Sequence, residues 1–164
     1  SGADGGCALY GGNVTPGAVA LSASGNTNSY GLSAWWTPED SGWVPSISTG
    51  WGLTDISDSN IAGIKSATSQ SWYVGLEWDN VFVEGNSFGM AVGQPTFISD
   101  IDTKKGYDDT VAGSGYAWEF FYKFQVTDNI TVTPAVHYLS KPYAGQDSDG
   151  LNAMSGLIKA TFKF

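Results

Sequence analysis

Arginine is missing from the 164-residue chain, cysteine and histidine occur once each, and all seven basic residues are lysines. Against sixteen acids they leave a formal net charge of −9. A nucleic-acid surface needs a cationic stripe to neutralise phosphates, and none can be assembled here. One thiol excludes a disulfide framework and a cysteine-rich zinc site. Nor is Cys7 a lipid anchor, because Asp4-Gly5-Gly6 is not the apolar lead such a site requires. Ser1-Gly2-Ala3-Asp4 has neither the basic start nor the apolar stretch of a secretory signal, so the chain reads as a mature form or a fragment.

Also lacking is any run of roughly 18 apolar residues, the length that spans a bilayer as a helix. With 41% hydrophobic residues the chain is nevertheless too apolar for disorder, and its 22 glycines show no triplet period. The mean hydropathy of −0.12 does not separate a soluble protein from a transmembrane β-barrel. Barrel strands alternate lipid-facing and lumen-facing residues and average to a bland value.

Catalytic constellations are equally scarce. A nucleophilic triad needs a base, but the lone His137 lies mid-strand and no Gly-x-Ser-x-Gly elbow exists. Glu77 and Glu119 make a conceivable glycosidase pair, yet no spacing singles them out from the other acids. Asp147-Ser148-Asp149-Gly150 is half a calcium loop without its third ligand or terminal bidentate Glu. The expectation is therefore no enzyme, no cofactor and no metal.

What the chain does have is period-two alternation. Tyr116, Trp118, Phe120, Tyr122 and Phe124 share one parity, against Ala117, Glu119, Phe121, Lys123 and Gln125. Ile130, Val132, Pro134, Val136 and Tyr138 then alternate with Thr131, Thr133, Ala135, His137 and Leu139. Thr127-Asp128-Asn129 joins the two runs as a tight turn. Each arm has about 9–11 residues, the length with which a tilted strand crosses a membrane. Further strands are expected at Ala18–Ser24, Tyr30–Thr37, Ile47–Ile56, Trp72–Asp79, Phe88–Gly93 and Leu157–Phe164. That makes about eight antiparallel strands with no helix, and Asn60–Lys65 is read as no more than a turn.

Connections near the C-terminus alternate in length. Thr127–Asn129 is minimal, Ser140–Asn152 is long and polar, and Pro95–Gly115 is read as the longest loop. Outer-membrane barrels have short periplasmic turns and long outer loops. Asp100, Asp102, Asp108, Asp109, Asp147 and Asp149 then fall in outer loops. Glu77, Asp79, Glu119, Lys123, Lys159 and Lys163 all take the parity opposite the aromatic stripe. Such segregation fits a water-lined wall, and also the wet face of a secreted, carbohydrate-binding β-sandwich. Strand length, loop asymmetry and the terminal aromatic favour the barrel over the sandwich.

Several segments carry a family resemblance: Val92-Gly93-Gln94-Pro95, the run Glu119 to Pro134, and the ending Gly156 to Phe164. With Trp72–Asp79 and Gly85–Met90 they resemble the C-terminal part of cyanobacterial outer-membrane porins, the OprB-related proteins also labelled iron-uptake porins. The likeness runs from about Tyr30 to the end. It implies a trimeric or otherwise oligomeric barrel in the outer-membrane lipid for passive diffusion of inorganic ions and small hydrophilic solutes. It also implies that Phe162 and Phe164 belong to the signal read by the barrel-assembly machinery. Members are longer, with an N-terminal periplasmic domain and more strands, so residues 1–164 are read as the C-terminal portion of one barrel domain.

The expected pore lining is Glu77, Asp79, Glu119, Lys123, His137, Lys159 and Lys163, with mild cation preference from the net acidity. A small structural or adhesive barrel without conductance is the alternative within the membrane class.

Overall fold

The computed structural model describes residues 26–39, 42–57, 63–105, 115–141 and 152–164. The strand expected at Ala18–Ser24 lies outside them, as do Cys7, Asp108, Asp109, Asp147 and Asp149. The described residues form seven strands: β1 (Asn26–Trp36), β2 (Ser46–Ser57), β3 (Ile64–Asp79), β4 (Ser87–Thr103), β5 (Ala117–Thr127), β6 (Ile130–Ser140) and β7 (Asn152–Phe162). They pair antiparallel in strict chain order into one meander. No helix among them is long and apolar enough to cross a membrane, which says nothing of crossing by strands.

Alternation dictates two faces, and the register keeps them in phase across the sheet. On one face, Ile47, Leu76, Met90, Phe120 and Val136 form a continuous rung, and Thr49, Val74, Val92, Trp118, Tyr138 and Met154 form the next. From the short turns up to the Trp51–Trp72 rung this face carries no charged side chain. The other face holds serines, glycines, threonines and every charge of that stretch.

This sheet has almost no interior. Buried hydrophobics among the described residues are Ile56, Ala67 and Ala135, whereas Leu32, Trp36, Trp118, Phe120, Ile158 and Phe162 are exposed. A sandwich buries its apolar face under a second sheet; the described residues supply none. Eleven residues at about 3.4 Å each, tilted near 45°, span the roughly 25 Å apolar band of an outer-membrane barrel.

The sheet is open, with β1 and β7 as its edges. In a seven-strand meander these two run in the same direction, so direct closure would need a parallel pair. An antiparallel cylinder therefore requires an odd number of further strands between them.

At one end lie the short connections: 37–45, Asn80–Asn86 and Asp128–Asn129, together with the end of β7. The middle one is held tightly. Asn80 and Phe82 adopt positive φ, Gly85 N–H donates to Asn80 Oδ1 at 2.9 Å, and Tyr122 O–H donates to the Val81 carbonyl at 2.7 Å. The turn thereby folds Phe82 back towards Tyr122, with ring centroids 6.2 Å apart.

At the opposite end the structure corrects two expectations. Pro95–Thr103 is not loop but the continuation of β4, and Asp100 and Asp102 lie in that strand. Ile64 and Lys65 open β3 rather than closing a turn. Proline survives in β4 because the β3–β4 register shifts beside it, between the Trp72–Gln94 and Gln70–Phe97 pairs, where the ladder demands no N–H. Since β5 joins β4 only as far as Gly93–Ala117, the β3–β4 hairpin projects beyond it. Ile56 and Ala67, packed by Ile64, Ile98 and Ile101, make a small apolar cluster there.

Candidate functional site

The charged face of the sheet is the candidate site. Its floor follows from small residues stacked in register. Ser48, Gly75, Ala91, Glu119, His137 and Ser155 make one rung, and Gly50, Tyr73, Gly93, Ala117, Leu139 and Ala153 make the next. With so few large side chains on β2 to β4, the wall is hollowed into a trough of about 930 Å³. Tyr73, Gly93, Ala117, Glu119, His137 and Ser155 line it.

The seven residues expected to line a pore all project from this face, with Lys163 continuing the parity just past β7. Glu119 and His137 are direct cross-strand partners. His137 is half-buried, and its Nε2 is enclosed without a hydrogen-bond partner. Glu77 accepts a hydrogen bond from Ser87 Oγ at 3.0 Å, fixing its carboxylate to the wall. Asp79 pairs with Ser87, and Ser87 with Lys123; Lys159 lies opposite Thr133.

Among these seven, Glu77 and Asp79 lie on β3, Glu119 and Lys123 share β5, and Lys159 and Lys163 lie on and just past β7. Among the described residues the geometry gives one salt bridge, Lys65 to Asp102 at 3.3 Å, in the projecting hairpin. Phe162 stands apart from this set, on the apolar face opposite Ile130, and Phe164 is fully exposed beyond it.

Sequence reasoning missed Tyr73 and Trp35, the two exposed aromatics on the charged face. Their parity was readable, but both sit beside an aromatic of the other parity, Trp72 and Trp36, which masks the switch of face. Tyr73 has an unusual setting. A Cβ built on Gly50 would collide with its ring, and one on Gly93 would sit 2.9 Å from its Cβ. The phenol therefore leans along the wall over glycine instead of standing off it.

No three His, Cys, Asp or Glu side chains group as a metal site among the described residues. Aromatic side chains of the apolar face pair at two levels: Trp78 with Phe88 at 5.9 Å and Tyr122 with Phe124 at 4.5 Å near the turns, and Trp72 with Tyr116 at 6.3 Å between centroids away from them. Aromatics at these levels suit the headgroup regions of a bilayer.

Comparison with known proteins gives three results. The family model for carbohydrate-selective porins of the OprB family matches residues 6–164. An uncharacterized protein of Nostoc sp. is 32% identical over the whole of this chain. A second uncharacterized protein, of Synechocystis sp., is 29% identical over 75% of it. The chain spans about a quarter of the length of these relatives, 26% and 23% respectively. No solved structure matches it.

Proposed function

We propose that this chain, which belongs to the OprB family of carbohydrate-selective porins, forms part of the wall of an outer-membrane β-barrel through which small hydrophilic solutes and inorganic ions diffuse passively. The observation that carries the reading is the single-layer sheet. One face is mainly apolar and exposed or half-buried, the other charged and glycine-rich, with no second layer among the described residues to cover either. Lipid satisfies the first and a water-filled lumen the second.

In this reading Glu77, Asp79, Glu119, Lys123, His137, Lys159 and Lys163 line the pore, and their mixed charges polarise the water across it. Further strands join at the β1 and β7 edges to complete the cylinder, residues 1–164 forming the C-terminal portion of that single barrel domain. Phe162 and Phe164 serve as the C-terminal assembly signal, and the barrel works as a trimer. No covalent chemistry is required of any residue.

The test is planar-bilayer conductance of the detergent-extracted protein under a salt gradient. Discrete, stable steps are expected. Silence from a folded, inserted sample would leave the non-conducting structural barrel and end the transport reading. Three acids and three lysines balance among the proposed lining residues, so the acid surplus lies outside that set, in the projecting hairpin and the connections. The expected cation preference is therefore small and shrinks as salt rises from 0.1 to 1 M, because the screening length falls from about 10 Å to about 3 Å. A reversal potential favouring chloride would refute the preference alone.

A further inference from the structure

Two of the short connections end in side chains that a water-facing turn does not need. We propose that the turns 37–45 and 80–86 are interfacial anchors, whose aromatic–valine pairs Trp43-Val44 and Phe82-Val83 enter the lipid leaflet at the turn end of the sheet. This rests on the porin reading, in which lipid covers the apolar face, and goes beyond it by giving the turns a binding surface of their own.

The two turns share a pattern. Each sets an exposed aromatic directly before an exposed valine: Trp43 is 96% exposed and Val44 52%, Phe82 92% and Val83 59%. A single exposed apolar side chain is ordinary. Two matching pairs on successive connections at one end of a sheet make a patch, and such a patch marks a contact surface. Asp128-Asn129, the third connection at that end, has no apolar residue.

Both turns are tied towards the same side. Trp78, on the apolar face of β3, donates its indole N–H to the Trp43 carbonyl at 3.2 Å. Tyr122, on the apolar face of β5, donates its hydroxyl to the Val81 carbonyl, one residue before Phe82. Side chains of the lipid-facing surface thus hold the backbone at each displayed pair. The surface is also continuous, since the Phe82 ring lies 6.2 Å from Tyr122, which in turn lies 4.5 Å from Phe124.

The second turn is over-determined. Buried Asn86 accepts the Gln125 N–H at its Oδ1 at 2.9 Å and donates from Nδ2 to Tyr122 Oη at 3.2 Å. Its carbonyl accepts the Val81 N–H at 3.2 Å, and its own N–H donates to the Val83 carbonyl at 3.1 Å. These bonds hold Phe82 at a φ of 65°, a conformation that a bulky residue keeps only where its surroundings impose it. A turn that had only to reverse the chain would carry glycine or asparagine there. The outcome is a phenyl ring presented outward at a fixed level.

Charge narrows the occupant. Neither turn contains a lysine, and Glu39 and Glu84 are both exposed. Carboxylates repel an anionic headgroup, so the surface fits a leaflet of zwitterionic or uncharged lipid. Aromatic rings settle at headgroup depth in such a leaflet, and the valines add apolar contact just beside them.

The test uses nitroxide side chains introduced one at a time after Cys7→Ser, in protein reconstituted into phosphatidylcholine liposomes. Power-saturation spectroscopy compares collisions with oxygen, which concentrates in lipid, and with a nickel chelate, which stays in water. Labels at Val83→Cys and Val44→Cys are expected to give oxygen-to-chelate ratios several-fold above that at Asp128→Cys, an exposed position on the turn without a displayed aromatic. Adding Phe82→Ala should bring the ratio at position 83 down towards that at 128. Chelate access at 83 and 44 equal to that at 128 would overturn the anchors. So would shielding from both reagents, which would mean that protein, such as a second copy of the chain, covers the patch. A label at Phe120→Cys, mid-strand on the apolar face, reports the underlying reading separately. Chelate access there would remove the lipid-facing sheet itself, whereas oxygen access at 120 with chelate access at 83 would overturn the anchors alone.

Discussion

At the scale of single residues, the wall is shaped by what its glycines permit. Gly89 lies on the charged face beneath Phe121, its direct cross-strand partner, and any Cβ there would run into that ring. Phe121 is the exception to the polar character of its parity, and the glycine opposite explains how it is accommodated: the ring lies down on bare backbone. Gly89→Val should therefore destabilise the sheet by about 1–3 kcal/mol through overpacking. Adding Phe121→Ala should recover most of that loss, since the two changes share one space. Urea unfolding from liposomes reads both, and simple additivity of the two changes would show that the ring does not rest on Gly89. The same reasoning marks the limit of sequence reading at this scale. Gly89 and Phe121 were each visible, and their parities too, but the pairing that makes one require the other is a register fact. Tyr73 over Gly50 escaped for the same reason.

At the scale of elements, the strongest alternations survived translation into strands. The β5–β6 hairpin with its Asp128-Asn129 turn occupies the expected residues to within one or two positions, because eleven residues of strict parity leave a single register that puts most of the large apolar side chains on one face. The segment after Gln94 did not read as strand. Its proline and acids resemble loop composition, and its ladder is broken by three register shifts that scramble the parity. A strand that leaves the membrane no longer needs an apolar face, so the signal used to find strands vanishes where the hairpin projects.

Parity within β5 yields a sharp contrast. Phe120→Lys would place a charge mid-strand on the apolar face and should cost about 2–4 kcal/mol of folding free energy in a bilayer. Glu119→Lys, one residue away on the other face, should cost little. Equal losses in liposome unfolding would mean that both faces meet the same environment and that the lipid assignment of the apolar face is wrong.

At the scale of the whole molecule, the deciding fact is that seven antiparallel strands end on two parallel edges. Both edges are long and exposed along nearly all of their length, and unpaired backbone of that kind is not tolerated inside a bilayer. One added strand would close an eight-stranded barrel, whose interior is just wide enough for side chains and conducts poorly. Four or five pairs beyond that would open an aqueous channel of the porin kind. The lumen face itself discriminates between the two outcomes. A plugged barrel fills its interior with bulky side chains, whereas the central rungs here are built from Gly75, Ala91, Gly93, Ala117 and Ser155, which leave a hollow of about 930 Å³ on this part of the wall alone. Closed at eight strands, a wall so hollow would not be filled by the side chains of the described residues. The wide barrel is therefore the form we propose for the whole wall, this chain covering about a quarter of its relatives' length. Solute exclusion gives the reading. Liposomes carrying the protein should swell in disaccharide as well as monosaccharide, with rates falling steeply by the size of a trisaccharide. Entry limited to ions, with no sugar of any size admitted, would point instead to the narrow cylinder and to an interior occupied by segments beyond these seven strands.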